Sequence, residues 1–193
     1  MQDVNIFPGR FQPFHSGHLR CCEDIYKENG NPVVILYMST TKFDKRKPFD
    51  NELIRKELEI VKKNNKFIAD IFEIKNPVPT PMIKVCEDAG YHPTVWIAGE
   101  DRIPEYQKLL DKGKFTTFTK PELVTTNRYC SATEVRQTIL DDDKTTFEKL
   151  MPKGTTGLWD EFREAVLKVN ENQDYNLKDY IIESINFENI LDD

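Results

Sequence analysis

The stretch Gly9-Arg10-Phe11-Gln12-Pro13-Phe14-His15-Ser16-Gly17-His18 lies between a short apolar run, Val4 to Phe7, and a segment carrying Leu19, Cys22, Ile25 and Tyr26 at helical spacing. An apolar run closed by Pro8-Gly9 reads as a first strand, and the spacing predicts a helix over His18 to Glu28. The stretch is therefore a strand-to-helix turn. In an open α/β sheet that is where ligands bind, outside the carboxyl ends of the strands.

The same alternation repeats along the chain. Val33 to Met38 is a nearly continuous, β-branched run, suited to a strand buried on both faces. Phe67 to Ile74 predicts a third strand, with Phe67, Ala69, Ile71 and Glu73 on one side. Thr94 to Ala98 predicts a fourth, stopped by Gly99, and Phe115 to Thr119 a weaker fifth. Between them, Asp50 to Lys63 places Leu53, Ile54, Leu58 and Val61 at helical spacing, and Pro81 to Ala89 does so with Met82, Ile83, Val85 and Cys86. The expected fold is α/β: a Rossmann-like parallel sheet of about five strands with flanking helices and right-handed crossovers.

After Met151 the pattern changes. Leu158 to Val169 and Leu177 to Ile190 read as helices with no strand between them, and Gly154-Thr155-Thr156-Gly157 reads as a linker. The expected organisation is residues 1–153 as the main domain and 154–193 as an acidic helical C-terminal extension. The net charge of −6 belongs to that extension, because residues 154–193 hold ten acids and three bases, leaving +1 for residues 1–153. Phe187, Ile190 and Leu191 lie among the acids. They read either as a helix packed on the main domain or as a docking surface for a partner, including a second copy in a homo-oligomer.

The 193 residues, 38% hydrophobic and 31% charged, suit a folded domain with a modest core. No segment approaches the ~20 apolar residues that span a bilayer, and Met1 to Arg10 lacks the pattern of a signal peptide. The four cysteines form no C-x-x-C pair, so a reducing, cytoplasmic setting is expected. The body is not generally basic, which argues against a nucleic-acid surface. Lys42 to Lys66 is a local exception with nine bases and five acids, a solvated face or a field for an anionic substrate.

Two of the three histidines, His15 and His18, flank Gly17 at the decisive turn. Free backbone N–H groups at a helix N-terminus favour phosphate, a glycine admits phosphate close to the backbone, and two imidazoles can donate to charge growing on a phosphoryl group. The turn is neither a Walker loop nor a dinucleotide G-x-G-x-x-G. Zinc held by His15, His18 and Cys21 or Cys22 lacks a recognisable second ligand pair, since the remaining His92 sits before Pro93. Ser131-Ala132-Thr133-Glu134 reads as a capping box opening a later helix, with Arg136 one turn on.

The block Gly9 to His18 resembles the H-x-G-H signature of the nucleotidylyltransferase superfamily. Its longer form is most similar to the archaeal-type nicotinamide-mononucleotide adenylyltransferases. Cys130-Ser131-Ala132-Thr133-Glu134-Val135-Arg136 resembles the family's second motif, with Cys130 and Ala132 where Ile and Ser are commoner. Gly99-Glu100-Asp101 is similar to the G-x-D of related enzymes, though archaeal-type members more often show G-N-P. Pro48-Phe49 with Glu52 and Arg55 loosely resembles N-P-F-x-x-x-E-R.

The resemblance implies AMP transfer from ATP to a phosphate-bearing acceptor, nicotinamide mononucleotide first, with pyrophosphate released and magnesium brought by ATP. It implies catalytic roles for His15, His18, Arg10 and Arg136. Gly9, Phe11, Gly17, Gly99, Asp101, Ser131 and Thr133 would bind the nucleotide. From their own chemistry, Trp96, an aromatic platform for a flat ring, and Lys42, in the basic loop after the second strand, are the candidates for the acceptor. Pantetheine-phosphate adenylyltransferase, a cytidylyltransferase or a sulfate adenylyltransferase would share both motifs. A nucleotide-binding regulator without turnover is the reading from another class.

Overall fold

The structure is a computed structural model that describes residues 1–75, 78–99, 102–112, 122–125 and 129–171. Five parallel strands form one sheet: β1 (Gln2–Gly9), β2 (Val33–Met38), β3 (Ile68–Ile74), β4 (Tyr91–Ala98) and β5 (Glu122–Thr125). Their order across the sheet is β3-β2-β1-β4-β5. The chain builds outward from β1 to β3, then crosses back over to place β4 on the other side of β1. The β1/β4 border is the topological switch point, where neighbouring crossovers leave in opposite directions and open a crevice.

The helices are α1 (Ser16–Asn29), α2 (Asn51–Asn64), α3 (Pro79–Asp88), α4 (Ile103–Lys112), α5 (Ala132–Leu140) and α6 (Lys144–Leu150), followed by a helical run over 159–171. They cover both faces of the sheet. Phe7, Ile35 and Ile71 point to one core, with residues of α1, α2, α5, α6 and the final helical run. Val4, Ile6, Val34, Leu36 and Trp96 point to the other, with residues of α3 and α4. The alternation along β1 and β2 follows from the period of two in a strand, and burial on both faces explains their unbroken apolar runs.

One expectation changes. Ala69 does not share a face with Phe67 and Ile71; it packs against the opposite core. The register shifts between Val33, opposite Ile68, and Val34, opposite Asp70. This extra residue in β3 resets the side-chain alternation. A strand at Phe115 to Thr119 lies outside the described residues, as does the helix expected over Leu177 to Ile190. The fifth described strand is β5, four residues long and paired with β4.

The segment after Gly154 contributes to the first core. Phe162 packs edge-on against Phe49 at 4.8 Å, and Trp159 against Phe147 at 4.9 Å. None of the four cysteines is in a disulfide. No helix among the described residues is long and apolar enough to cross a membrane.

Candidate active site

The site is built on the turn between β1 and α1. Gly9, the last residue of β1, lies under the Phe11 ring: a Cβ there would stand 2.6 Å from two of its carbons. Phe11 adopts φ 46° and is buried, in edge contact with Phe7 and His18. The chain thus folds back on itself immediately after the strand, and only a residue without a side chain fits beneath.

The two imidazoles close the helix end. His15 is the N-cap of α1, and its Nδ1 accepts the backbone N–H of His18 at 3.4 Å. His18 Nδ1 accepts the backbone N–H of His15 at 3.3 Å. This is a reciprocal capping box with rings in place of hydroxyl and carboxylate. The rings stack at 3.7 Å and 19°. A backbone N–H can only donate, so both Nδ1 atoms are acceptors. In the neutral rings the proton then sits on Nε2. Phe7, Phe11 and Phe14 surround His18 at 5.1–5.8 Å.

The second motif meets the first here. Ser131 caps α5, accepting from the Glu134 N–H at 3.2 Å while Glu134 accepts from the Ser131 N–H at 2.6 Å, the capping box read from sequence. One turn on, Arg136 donates to the Gln12 carbonyl oxygen at 2.5 Å and to Thr133 Oγ1 at 3.2 Å. Partial burial lowers its affinity for the proton; Asp44 opposes and Arg46 reinforces that effect. A guanidinium stays charged under such a shift. Cys130 Sγ lies 3.1 Å from His15 Nδ1. His15, Gly17, His18, Thr133 and Arg136 are therefore brought together, with Ser131 at the head of α5.

Arg10 and Lys42 lie near one another. They line a cavity of about 240 Å³ with Lys47, Lys75, Ser39 and Thr41, at the carboxyl ends of β1, β2 and β3. Lys47 is paired with Asp44 at 3.3 Å. Gly99 is exposed at the end of β4, and Asp101 lies outside the described residues. Trp96 is not brought to the site: it is fully buried in the other core, stacked on Tyr106 at 4.7 Å.

Two residues without a sequence-based role prove central. Gln12 is buried, and its amide exchanges two hydrogen bonds with the Phe49 backbone, at 2.9 and 3.0 Å, and donates to Thr40 Oγ1 at 3.1 Å. Glu57, on α2, has no exposed surface and accepts the Phe14 N–H at 3.1 Å, one residue before His15. Its Oε1 has no hydrogen-bond partner, and burial pushes this carboxyl well above the usual range, against the smaller downward pull of the Phe14 bond. The signal for both was a polar residue inside an apolar frame, which requires partners that composition cannot name.

The family model described as cytidylyltransferase-like matches residues 6–138. A probable nicotinate-nucleotide adenylyltransferase of Methylacidiphilum infernorum (isolate V4) is 27% identical over 131 residues, covering 64% of this chain. The chain spans 64% of the length of that curated relative. A bifunctional NMN adenylyltransferase/ADP ribose pyrophosphatase of Francisella tularensis, complexed with AMP and a manganese ion, shares the fold at a TM-score of 0.63 and 19% identity, over 92% of this chain and 54% of that one. A nicotinic acid mononucleotide adenylyltransferase of Plasmodium falciparum, complexed with APC, does so at a TM-score of 0.54 and 14% identity, over 88% and 96%.

Proposed function

The chain belongs to the cytidylyltransferase-like family, and from that membership we propose that it is a nucleotidyltransferase moving AMP from ATP to a pyridine mononucleotide, nicotinamide or nicotinate mononucleotide, with release of pyrophosphate. The observation that carries this reading is the imidazole capping box. Its two Nδ1 atoms are engaged by backbone N–H groups, so the neutral rings carry their proton on Nε2 at a helix N-terminus. The relative from Methylacidiphilum infernorum supports the acceptor class.

In the proposed reaction an oxygen of the acceptor phosphate forms a bond to the α-phosphorus of ATP. The bond from that phosphorus to the β-bridging oxygen breaks, and pyrophosphate leaves with the electron pair. No covalent intermediate with the protein is needed. Catalysis is then positioning and neutralisation of charge. His18 and His15 donate to the oxygens on which charge develops. Arg136, with Ser131, Thr133 and the N-terminal N–H groups of α5, holds the leaving β- and γ-phosphates. Gly9, Phe11, Gly17, Gly99 and Asp101 are assigned to the nucleotide.

Arg10 and Lys42, in their shared cavity, are assigned to phosphate oxygens, Lys42 to those of the acceptor. Residues 1–153 are assigned as the catalytic unit and 154–193 as its acidic extension. Among the described residues no three His, Cys, Asp or Glu side chains are grouped to hold a metal. Magnesium enters this reading only as the companion of ATP.

The test is a matrix of ATP and CTP against nicotinamide mononucleotide, nicotinate mononucleotide, phosphopantetheine, an alcohol phosphate and sulfate, scored by pyrophosphate release and product mass. Release with ATP and a pyridine mononucleotide is expected. Turnover confined to CTP, or to another acceptor, overturns the assignment. Nucleotide binding without any pyrophosphate reassigns the chain as a regulator.

A further inference from the structure

Cys130 sits where the two motifs touch. Its Sγ is 3.1 Å from Nδ1 of His15, the same ring atom that accepts the His18 backbone N–H. Gly17 makes this approach feasible, because a Cβ on it would stand 2.9 Å from the Cys130 sulfur and 3.0 Å from its backbone nitrogen. The thiol is thus held between the His15 ring and the α1 backbone, and Cys130 itself precedes the Ser131 cap of α5.

We propose that Cys130 is a positioning residue for His15: its S–H donates to Nδ1, holds the ring in the cap and keeps the ring proton on Nε2, facing the phosphates. The proposal rests on the reading of His15 as a phosphate donor. The chemistry follows from the donor inventory. A neutral imidazole has one donor and one acceptor nitrogen, and a thiol is a weak donor. With the His18 N–H fixed on Nδ1, the alternative tautomer would set N–H against N–H, and the rotatable thiol, a weak acceptor as well as a weak donor, donates to Nδ1 only in the Nε2–H state. Protonation of the ring at Nδ1 meets the same obstacle. His15 is only 3% exposed, so water has little room to replace either partner. The thiol therefore supports the state needed to donate from Nε2.

The experiment uses the full chain and the variants Cys130→Ala and Cys130→Ser. Nitrogen-15 NMR of the histidine side chains, assigned with His15→Ala, reads the tautomer and titration of His15 without reference to turnover. For the parent protein the Nε2–H tautomer is expected. Cys130→Ala is expected to give mixed tautomers and an upward shift in the His15 titration. Its kcat should fall about fivefold to tenfold at nearly constant KM, the effect of one modest hydrogen bond. Cys130→Ser, which keeps a donor, should restore the tautomer and most of kcat.

An unchanged His15 tautomer and titration in Cys130→Ala overturns the proposal. So does a Cys130→Ser variant no better than Cys130→Ala. Full turnover by His15→Ala would instead remove His15 from the chemistry, while the NMR comparison would still decide whether Cys130 positions it.

Discussion

Arg136 donates from Nη1 to the carbonyl oxygen of Gln12 at 2.5 Å, joining α5 to the β1–α1 turn across 124 positions of sequence. Gln12 in turn clamps the Phe49 backbone and Thr40, so one buried amide links the second motif to the loop that carries Lys42 and Lys47. The cation assigned to the leaving phosphates is thereby fixed relative to the imidazoles before any ligand arrives. Such preorganisation is what electrostatic catalysis requires.

Replacing Arg136 with Ala is expected to lower kcat/KM for ATP by about 100-fold or more, the usual cost of removing one preorganised donor. Arg136→Lys should recover only part of it, because an ammonium lacks the planar fork that can hold Gln12, Thr133 and a phosphate together. Steady-state pyrophosphate release measures both, and an unimpaired Ala variant would remove Arg136 from the site.

His18→Ala should abolish adenylyl transfer while the fold persists. It also deletes half of the α1 capping box, a loss of about 1 kcal/mol. Circular dichroism should therefore remain native with a modestly lower Tm. Retained turnover in a well-folded variant refutes the role of His18.

Gly17→Ala places a methyl group 2.9 Å from Cys130 Sγ, 3.0 Å from the Cys130 backbone nitrogen and 3.0 Å from His15 Nδ1. The neighbours are backbone and a capped ring, so the two motifs must separate. A displacement of this kind is expected to cost about 100-fold in turnover. Kinetics near those of the parent would mean that the motifs tolerate separation.

Glu57 gives a pH-dependent prediction. Burial raises its folded-state pKa, whereas in the unfolded chain it ionises near the usual carboxyl value of about 4.3. Above that value the unfolded state binds fewer protons than the folded one, so the Glu57 contribution to stability falls as pH rises towards the folded pKa. Glu57→Gln keeps an acceptor for the Phe14 N–H and cannot ionise. Its Tm should exceed that of the parent at pH 8, with the difference shrinking by pH 5. A pH-independent difference counts against a buried, protonated Glu57.

Phe162 has no exposed surface and packs on Phe49 and Phe147. Truncating it to Ala should cost about 3–5 kcal/mol. Chemical denaturation of Phe162→Ala reads this directly. A loss under 1 kcal/mol would mean that the helical run over 159–171 is not part of the folded core.

The first four strands and their order along the chain were legible because apolar runs of four to eight residues, broken by glycine and proline, leave a period that needs no partner to be recognised. Val33–Met38 is the clearest case, and the observed β2 has those bounds. The Ser131 capping box was legible for the same reason: both of its hydrogen bonds close within three residues. Helix α4, the seven-residue α6 and the four-residue β5 were not read. The two short elements hold too few turns or alternations to stand out, and β5 depends on pairing with β4.

His15 and His18 were visible as a pair, and their helix-start position followed from the flanking pattern. Their tautomers were not. Those depend on which backbone N–H each Nδ1 meets, a matter of ångströms at one cap. Trp96 shows the converse: an aromatic side chain in a strand reads the same whichever face it takes, and here it lies in the core shared with α3 and α4.

The sequence by itself determined the α/β architecture, the strand-to-helix turn and the two motifs, because each is encoded in local spacing. Only the tertiary structure decided that Cys130 reaches His15, that Arg136 binds the Gln12 carbonyl and that Glu57 lies beneath Phe14. Those contacts join residues 43 to 124 positions apart. They arise from how the helices close over the carboxyl ends of a parallel sheet, and no local period carries that information.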